Sequence, residues 1–153
     1  MIRIRPSPIS DKEIATKVPT KEELMQSTTQ HIGDVQRAIA WFCYRLISVG
    51  AIHDHTKIDD FEAFYETYAQ GLIGDAFRES EWYQSHLQER HHINERCPED
   101  LTLLDILERI ADIVVAGIAR NGTFYDDDLD PEILAKAYKN TIDLLIQQIE
   151  LID

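Results

Sequence analysis

Apolar residues at positions 35, 39, 42, 46 and 49 recur in steps of four, four, four and three. That period puts them on one stripe of a helix, not on a strand. Thr20 followed by Glu23 is a capping box that would start this helix, and Gly50 is a natural stop. Similar signals divide the rest of the chain. Phe61, Phe64, Tyr65 and Tyr68 make a second apolar face over about 59–70, bounded by Gly71 and Gly74. A third helix is predicted over about 75–91, and Pro98 marks a break. A fourth, the most apolar, runs over about 101–120 and ends at Asn121-Gly122. Asp130-Pro131 caps a fifth that reaches almost to the C-terminus. Residues 1–19, with Pro6, Pro8 and Pro19, read as an extended arm. No strand, repeat or second domain is expected. The predicted fold is all-α, a single-domain helical bundle of about five main helices spanning 20–153.

The 153 residues suffice for one core, with 44% apolar and 28% charged residues. A formal net charge of −13 argues against binding a nucleic-acid polymer or an anionic membrane, since both need Lys and Arg against phosphate. No stretch is long and apolar enough for a membrane span, and Met1 to Lys17 lacks the apolar region of a signal peptide. Two cysteines, Cys43 and Cys97, make no disulfide framework, and Cys43 reads as a small core residue. These features predict a cytoplasmic protein. The long apolar stripes would also suit a homodimer interface.

Five of the six histidines lie between positions 53 and 92. His53-Asp54 offers an imidazole and a carboxylate, good ligands for Zn, Mn or Fe. Lys57, one turn later, could reach a substrate phosphate. His86, Arg90, His91 and His92 form a second group, of whose histidines two are expected to ligate, with Glu95 a further candidate. Asp105, Glu108 and Asp112 share one face of the fourth helix. That helix is so apolar that Asp112 must be partly buried, hence paired, with Arg109 for example, or coordinated.

The order His31, His53-Asp54, His86, His91-His92, Asp112 resembles the HD superfamily of metal-dependent phosphohydrolases, whose signature is H…HD…D. His53-Asp54-x-x-Lys57 is similar to the form in cyclic-dinucleotide phosphodiesterases of the HD-GYP type. A closer resemblance is to a small family of HD-like phage and bacterial proteins with the pattern HI..VQ, RA..HD.SK, HH and L.DL.EM..DW. It covers about residues 31–120, through His31-Ile32 with Val35-Gln36, Ala51 to Lys57, His91-His92 and Leu104 to Asp112. Thr56 stands where that pattern has Ser, Arg109 where it has Met, and Ile113 where it has Trp.

The resemblance implies an HD-like bundle and a metal-dependent phosphohydrolase acting on a small phosphorylated substrate such as a nucleotide. His31, His53, Asp54, His86, His91, His92 and Asp112 would be the metal ligands. They would hold one or two divalent transition metals per chain (Mn, Fe, Zn, Co or Ni, with Mg also suited). Asp54, Lys57 and Glu108 would serve catalysis, Glu108 by orienting a histidine, and Lys57 and Arg90 would bind phosphate. His31 ranks below the others, because a straight helix would put it roughly 30 Å from His53. Three alternatives stand beside this reading. One is an HD-type di-iron oxygenase. Another is a non-enzymatic, metal-stabilised helical protein that binds a protein partner. The third is a nucleotide pyrophosphohydrolase bundle using paired carboxylates such as Glu62 with Glu66. The aromatic residues Trp41, Trp82, Phe61, Phe64, Tyr65 and Tyr68 read as core, and Asp126 to Asp128 as a solvated loop.

Overall fold

The computed structural model describes residues 1–93 and 97–152. The expected ligand Glu95 lies outside them. The protein is mostly helical, and the chain divides into two compact units, residues 1–45 with 142–153 and residues 46–141.

In the first unit, β1 (Ile2–Ile4) pairs in parallel with β2 (Ile149–Leu151), with Ile2 opposite Ile149 and Ile4 opposite Leu151. These strands correct the expectation of a strand-free chain. Three-residue strands bounded by polar residues carry too little alternation to be read from sequence. A single-turn helix α1 (Asp11–Ile14) follows inside the expected arm. Its capping box uses Ser10 and Glu13. Helix α2 (Lys21–Ala51) starts as expected. The Thr20 amide donates to Glu23 Oε2 at 2.8 Å, and the Glu23 amide to Thr20 Oγ1 at 3.1 Å. None of its residues is buried. The apolar stripe is exposed at Val35, Ile39 and Leu46, and Cys43, expected in the core, is exposed.

In the second unit, α3 (Thr56–Asp59) and α4 (Phe61–Ala69) follow the turn after α2. The expected third helix is broken into α5 (Asp75–Arg78) and α6 (Glu81–His86). Ser80 is extended there, and its side chain accepts from the Tyr83 amide, so it starts a new helix instead of continuing the old one. Helix α7 (Leu103–Asn121) ends on left-handed Gly122, as its Asn-Gly predicts. Helix α8 (Pro131–Ile146) begins at Pro131, and Asp130 Oδ1 accepts from the Glu132 amide at 2.8 Å. Ile93, Leu101, Ile106 and Ala137 form the buried core, and Cys97, Leu103, Leu129 and Ile133 pack around it. Trp82 is buried and stacks on Phe64, with ring centroids 4.2 Å apart. Phe61, Tyr65 and Tyr68, read as core, are instead half exposed or more. Among the described residues no helix is long and apolar enough to cross a membrane.

Candidate metal centre

Three short segments of the second unit meet in one cluster: the turn after α2, the winding chain after α6, and α7. His53 and Asp54 come from the first. Asp54 has φ of 54°, a left-handed conformation that Asp tolerates better than most residues but that still costs energy. Glu89 holds this turn. Its carboxylate accepts from the Asp54 amide at 3.0 Å, from the Thr56 amide at 3.2 Å and from the Thr56 hydroxyl.

The second segment supplies His86, Glu89, His91 and His92. A straight helix could not aim them together, because neighbours differ by about 100° in direction. After His86 the chain instead winds through tighter turns. The Glu89 amide donates to the His86 carbonyl at 3.0 Å, the His92 amide to the Glu89 carbonyl at 3.1 Å, and the Ile93 amide to the His91 carbonyl at 2.9 Å. All three histidines thereby join the cluster. His86 and His92 bring their Nε2 atoms within 3.0 Å, and His86 Nδ1 lies 2.8 Å from Thr56 Oγ1.

Helix α7 supplies Glu108 and Asp112, one turn apart on its face. Glu108 Oε1 lies 3.0 Å from His53 Nδ1 and 3.3 Å from His91 Nδ1. Asp112 Oδ1 lies 3.5 Å from His53 Nε2. Asp54 Oδ1 is 3.5 Å from both His86 Nε2 and His91 Nε2.

Three sets of ligand atoms lie within 4.8 Å of one another: His53, His91 and Asp112; Asp54, His91 and His92; Asp54, His86 and Glu89. Asp54 Oδ1, His91 Nδ1 and His91 Nε2 are buried with no hydrogen-bond partner. Unpaired buried polar atoms are costly. Asp54 Oδ1 and His91 Nε2 face one another at 3.5 Å, whereas His91 Nδ1, on the other side of the ring, faces Glu108 Oε1 at 3.3 Å. A cation coordinated there would satisfy Asp54 Oδ1 and one His91 nitrogen, so the donor set fits a divalent transition metal. Both oxygens of Glu89 already accept hydrogen bonds from the 54–56 turn, which leaves two freer sets, His53 with His91 and Asp112, and Asp54 with His91 and His92.

The electrostatics follow from burial against charge. Burial opposes ionisation of Asp54, but His91 and Lys57 beside it prevail and hold its carboxyl well below the usual range. Burial also opposes a charge on His91, yet Asp54 and Glu108 push its pKa up to about 9. His92 is pushed down to about 4 by burial and by the neighbouring His91 and His86. His86 is lowered by burial and by Lys57. His86 and His92 are therefore held neutral near pH 7, the form that binds metal.

The structure thus brings together His53, Asp54, Lys57, His86, His91, His92, Glu108 and Asp112. The amine of Lys57 pairs with Asp54 Oδ2. His31 is not among them. It is exposed on α2 in the first unit. Arg90, expected to bind phosphate, is otherwise engaged. Its Nε and Nη2 donate to the two oxygens of Asp105 at 2.6 and 3.0 Å, and its Nη1 to Asp100 at 2.9 Å. Arg109 pairs with Asp127, not Asp112, at 2.6 and 3.0 Å, and also donates to the His91 carbonyl at 3.3 Å. That pair ties Asp127 down, so the acidic loop is not wholly solvated. Sequence reading missed Glu89 and Thr56. The three-residue step from His86 to Glu89 was the available signal.

No family model matches the chain, and no curated protein or solved structure matches it either.

Proposed function

We propose that this protein is a metal-dependent phosphohydrolase acting on a small phosphorylated substrate, with a nucleotide as the first class to test. One observation carries the reading. Buried Asp54 Oδ1 and the two His91 nitrogens make no hydrogen bond of good geometry inside a shell of histidines and carboxylates, their ionic neighbours standing 3.3–3.5 Å away. His53, His91 and Asp112 would hold one divalent transition metal. Asp54 and His91 each belong to two of the three ligand sets: a second ion seated with Asp54 and His92 would share His91 with the first, whereas one seated with Asp54, His86 and Glu89 would share no ligand with it. When bound, such a metal supplies a water of lowered pKa near neutral pH.

The chain's own residues do the rest. Glu108 accepts from the far nitrogen of His53, fixing that ring's tautomer and direction. Glu89 clamps the strained 54–56 turn and so aims Asp54. Lys57, partly exposed and paired with Asp54, holds a positive charge beside the cluster that can leave Asp54 for a phosphate oxygen and offset developing negative charge. Arg90 has no part in substrate binding on this reading, because two carboxylates occupy its guanidinium. The HD-like architecture belongs to the same proposal, resting on the order of the His53-Asp54, His91-His92 and Asp112 motifs.

Release of inorganic phosphate from a nucleotide panel, assayed with Mn, Mg, Co and Fe in turn, tests the activity. The expected result is turnover with at least one metal, abolished in Asp54→Asn. Metal-loaded protein with no turnover, but with a visible absorption band and oxygen consumption, would replace this reading with an oxygenase.

A further inference from the structure

The first unit is close to electroneutral, with seven Lys and Arg against eight Asp and Glu, in a chain whose net charge is −13. Strand β1 buries Ile2 and leaves Arg3 exposed. Arg5, two residues on, lies on the side of Arg3 by strand alternation. The arm is fastened to α2 at several points. Gln30 Nε2 donates to the Arg5 carbonyl at 2.7 Å and the Pro6 carbonyl at 3.2 Å, and the Ser7 and Ser27 hydroxyls are 2.8 Å apart. Opposite the two arginines, α2 presents Gln26, Thr29, Gly33 and Arg37 along one face, stepping by three or four residues. Between arm and helix lies a cavity of about 620 Å³. Gly33 contributes no side chain to fill it.

Three guanidinium groups therefore line one cavity. Asp34, which also lines it, pairs with Arg37. Glu150 pairs with Arg3 at 3.0 Å. Arg5 has no carboxylate partner among the described residues. Three like charges gathered in one hollow, one of them uncompensated, suit a polyvalent anion. A guanidinium offers a planar fork of donors that matches phosphate oxygens two at a time. A carboxylate has only two oxygens to share among three forks, whereas a terminal phosphate has three. Gln26 and Thr29 add neutral donors beside them. The volume falls within the range of about 300–1,000 Å³ typical of small-molecule sites. The acidity of the rest of the chain excludes a long nucleic acid, whose backbone would meet repulsion beyond the cavity.

We propose that this cavity is a second binding site, independent of the histidine cluster, for the phosphate end of a small phosphorylated molecule of nucleotide size. Arg5 is its unpaired anchor, and Arg3 and Arg37 turn from their acidic partners toward the ligand.

The test uses the full chain stripped of metal with EDTA, titrated calorimetrically with pyrophosphate, ADP and adenosine. Pyrophosphate and ADP are expected to bind saturably and adenosine not at all. Arg5→Gln should weaken both by about tenfold or more, the loss of one charged hydrogen-bonding group. Arg37→Gln should do the same. Arg5→Lys, which keeps the charge but not the fork, should fall between. Arg5 has no ion pair to lose, so circular dichroism of its variants should match the wild type even if Arg37→Gln unfolds. Three results would overturn the proposal: no saturable binding by the folded wild type, equal binding by Arg5→Gln, or binding lost in His53→Ala but kept in Arg5→Gln. The last would place the anion at the histidine cluster. Because no metal is present, failure here leaves the hydrolase reading untouched.

Discussion

Replacing Asp105 by alanine should cost stability far more than a surface aspartate would. The side chain is only 4% exposed. One oxygen accepts from Arg90 Nε at 2.6 Å. The other accepts from Arg90 Nη2 at 3.0 Å, the Thr102 amide at 2.7 Å and the Thr102 hydroxyl at 2.8 Å. Losing the cap of α7 costs about 0.5–2 kcal/mol. Breaking a fully buried ion pair costs about 3–5 kcal/mol. Arg90 is 43% exposed, so water re-solvates much of the freed guanidinium, and about 1–2 kcal/mol is the better figure here. Together Asp105→Ala should cost about 1.5–4 kcal/mol, which for a chain of this length lowers the melting temperature by about 3–16 °C. Arg90→Met keeps the apolar stem and the cap but leaves the 4% exposed carboxylate without its cation, and should cost about 3–5 kcal/mol. The assay is urea and thermal unfolding of both single variants and the double, followed by circular dichroism. Residues in one network couple, so the double variant should be less destabilised than the sum by about 1 kcal/mol. An Asp105→Ala protein melting within about 1 °C of wild type would refute the reasoning, as would strict additivity. A different outcome would restore the sequence-based role of Arg90 as a phosphate ligand: Arg90→Met lowering kcat/KM with melting unchanged.

Other consequences follow from the same geometry. A Cβ on Gly117 would lie 2.6 Å from the Tyr125 amide nitrogen and 2.7 Å from the Thr123 carbonyl oxygen. Gly117→Ala should therefore push the 123–125 loop off α7 at a cost of about 1–3 kcal/mol, visible as a lower urea midpoint. The pKa of His91 in the metal-free protein is raised to about 9, so its stabilising contribution is complete below about pH 6.5 and is lost as the pH climbs through about 9. A metal must displace that proton, so zinc affinity measured by competition with a chelator should rise over the same window, by up to about tenfold per pH unit. His91→Gln should flatten the profile. Glu108→Ala frees the His53 ring and should weaken metal binding by about 10–100-fold in that competition assay. His31→Ala, remote on α2, should leave binding unchanged.

Much of the helical layout was legible because its signals are local. The Thr20 and Glu23 box, the Gly122 stop and the Asp130-Pro131 start each act within a few residues, and the structure uses all three. The break at Ser80 was hidden by a continuous run of helix-compatible residues, although serine before Glu81 is a sound cap. The strands could not be read, because Ile2–Ile4 and Ile149–Leu151 recognise each other across almost the whole chain. Apolar periodicity assigned faces without saying what covers them, hence the exposed Val35, Ile39 and Cys43. The His53-Asp54 and Asp112 motifs stood out by residue type. Glu89 and the partners of Arg90 did not, since both depend on the winding of 86–92, which helical spacing does not describe. The distance argument against His31 needed only the rise of an unbroken helix.

The central claim is that the histidine and carboxylate cluster holds a metal. Elemental analysis of the purified protein beside His53→Ala, His91→Ala and Asp112→Ala tests it most directly. One or two equivalents of a transition metal per chain are expected, lost or strongly reduced in all three variants, each still helical by circular dichroism. Wild-type protein that holds no metal even after reconstitution with Zn, Mn, Fe and Co would contradict it, as would metal retained unchanged in the variants.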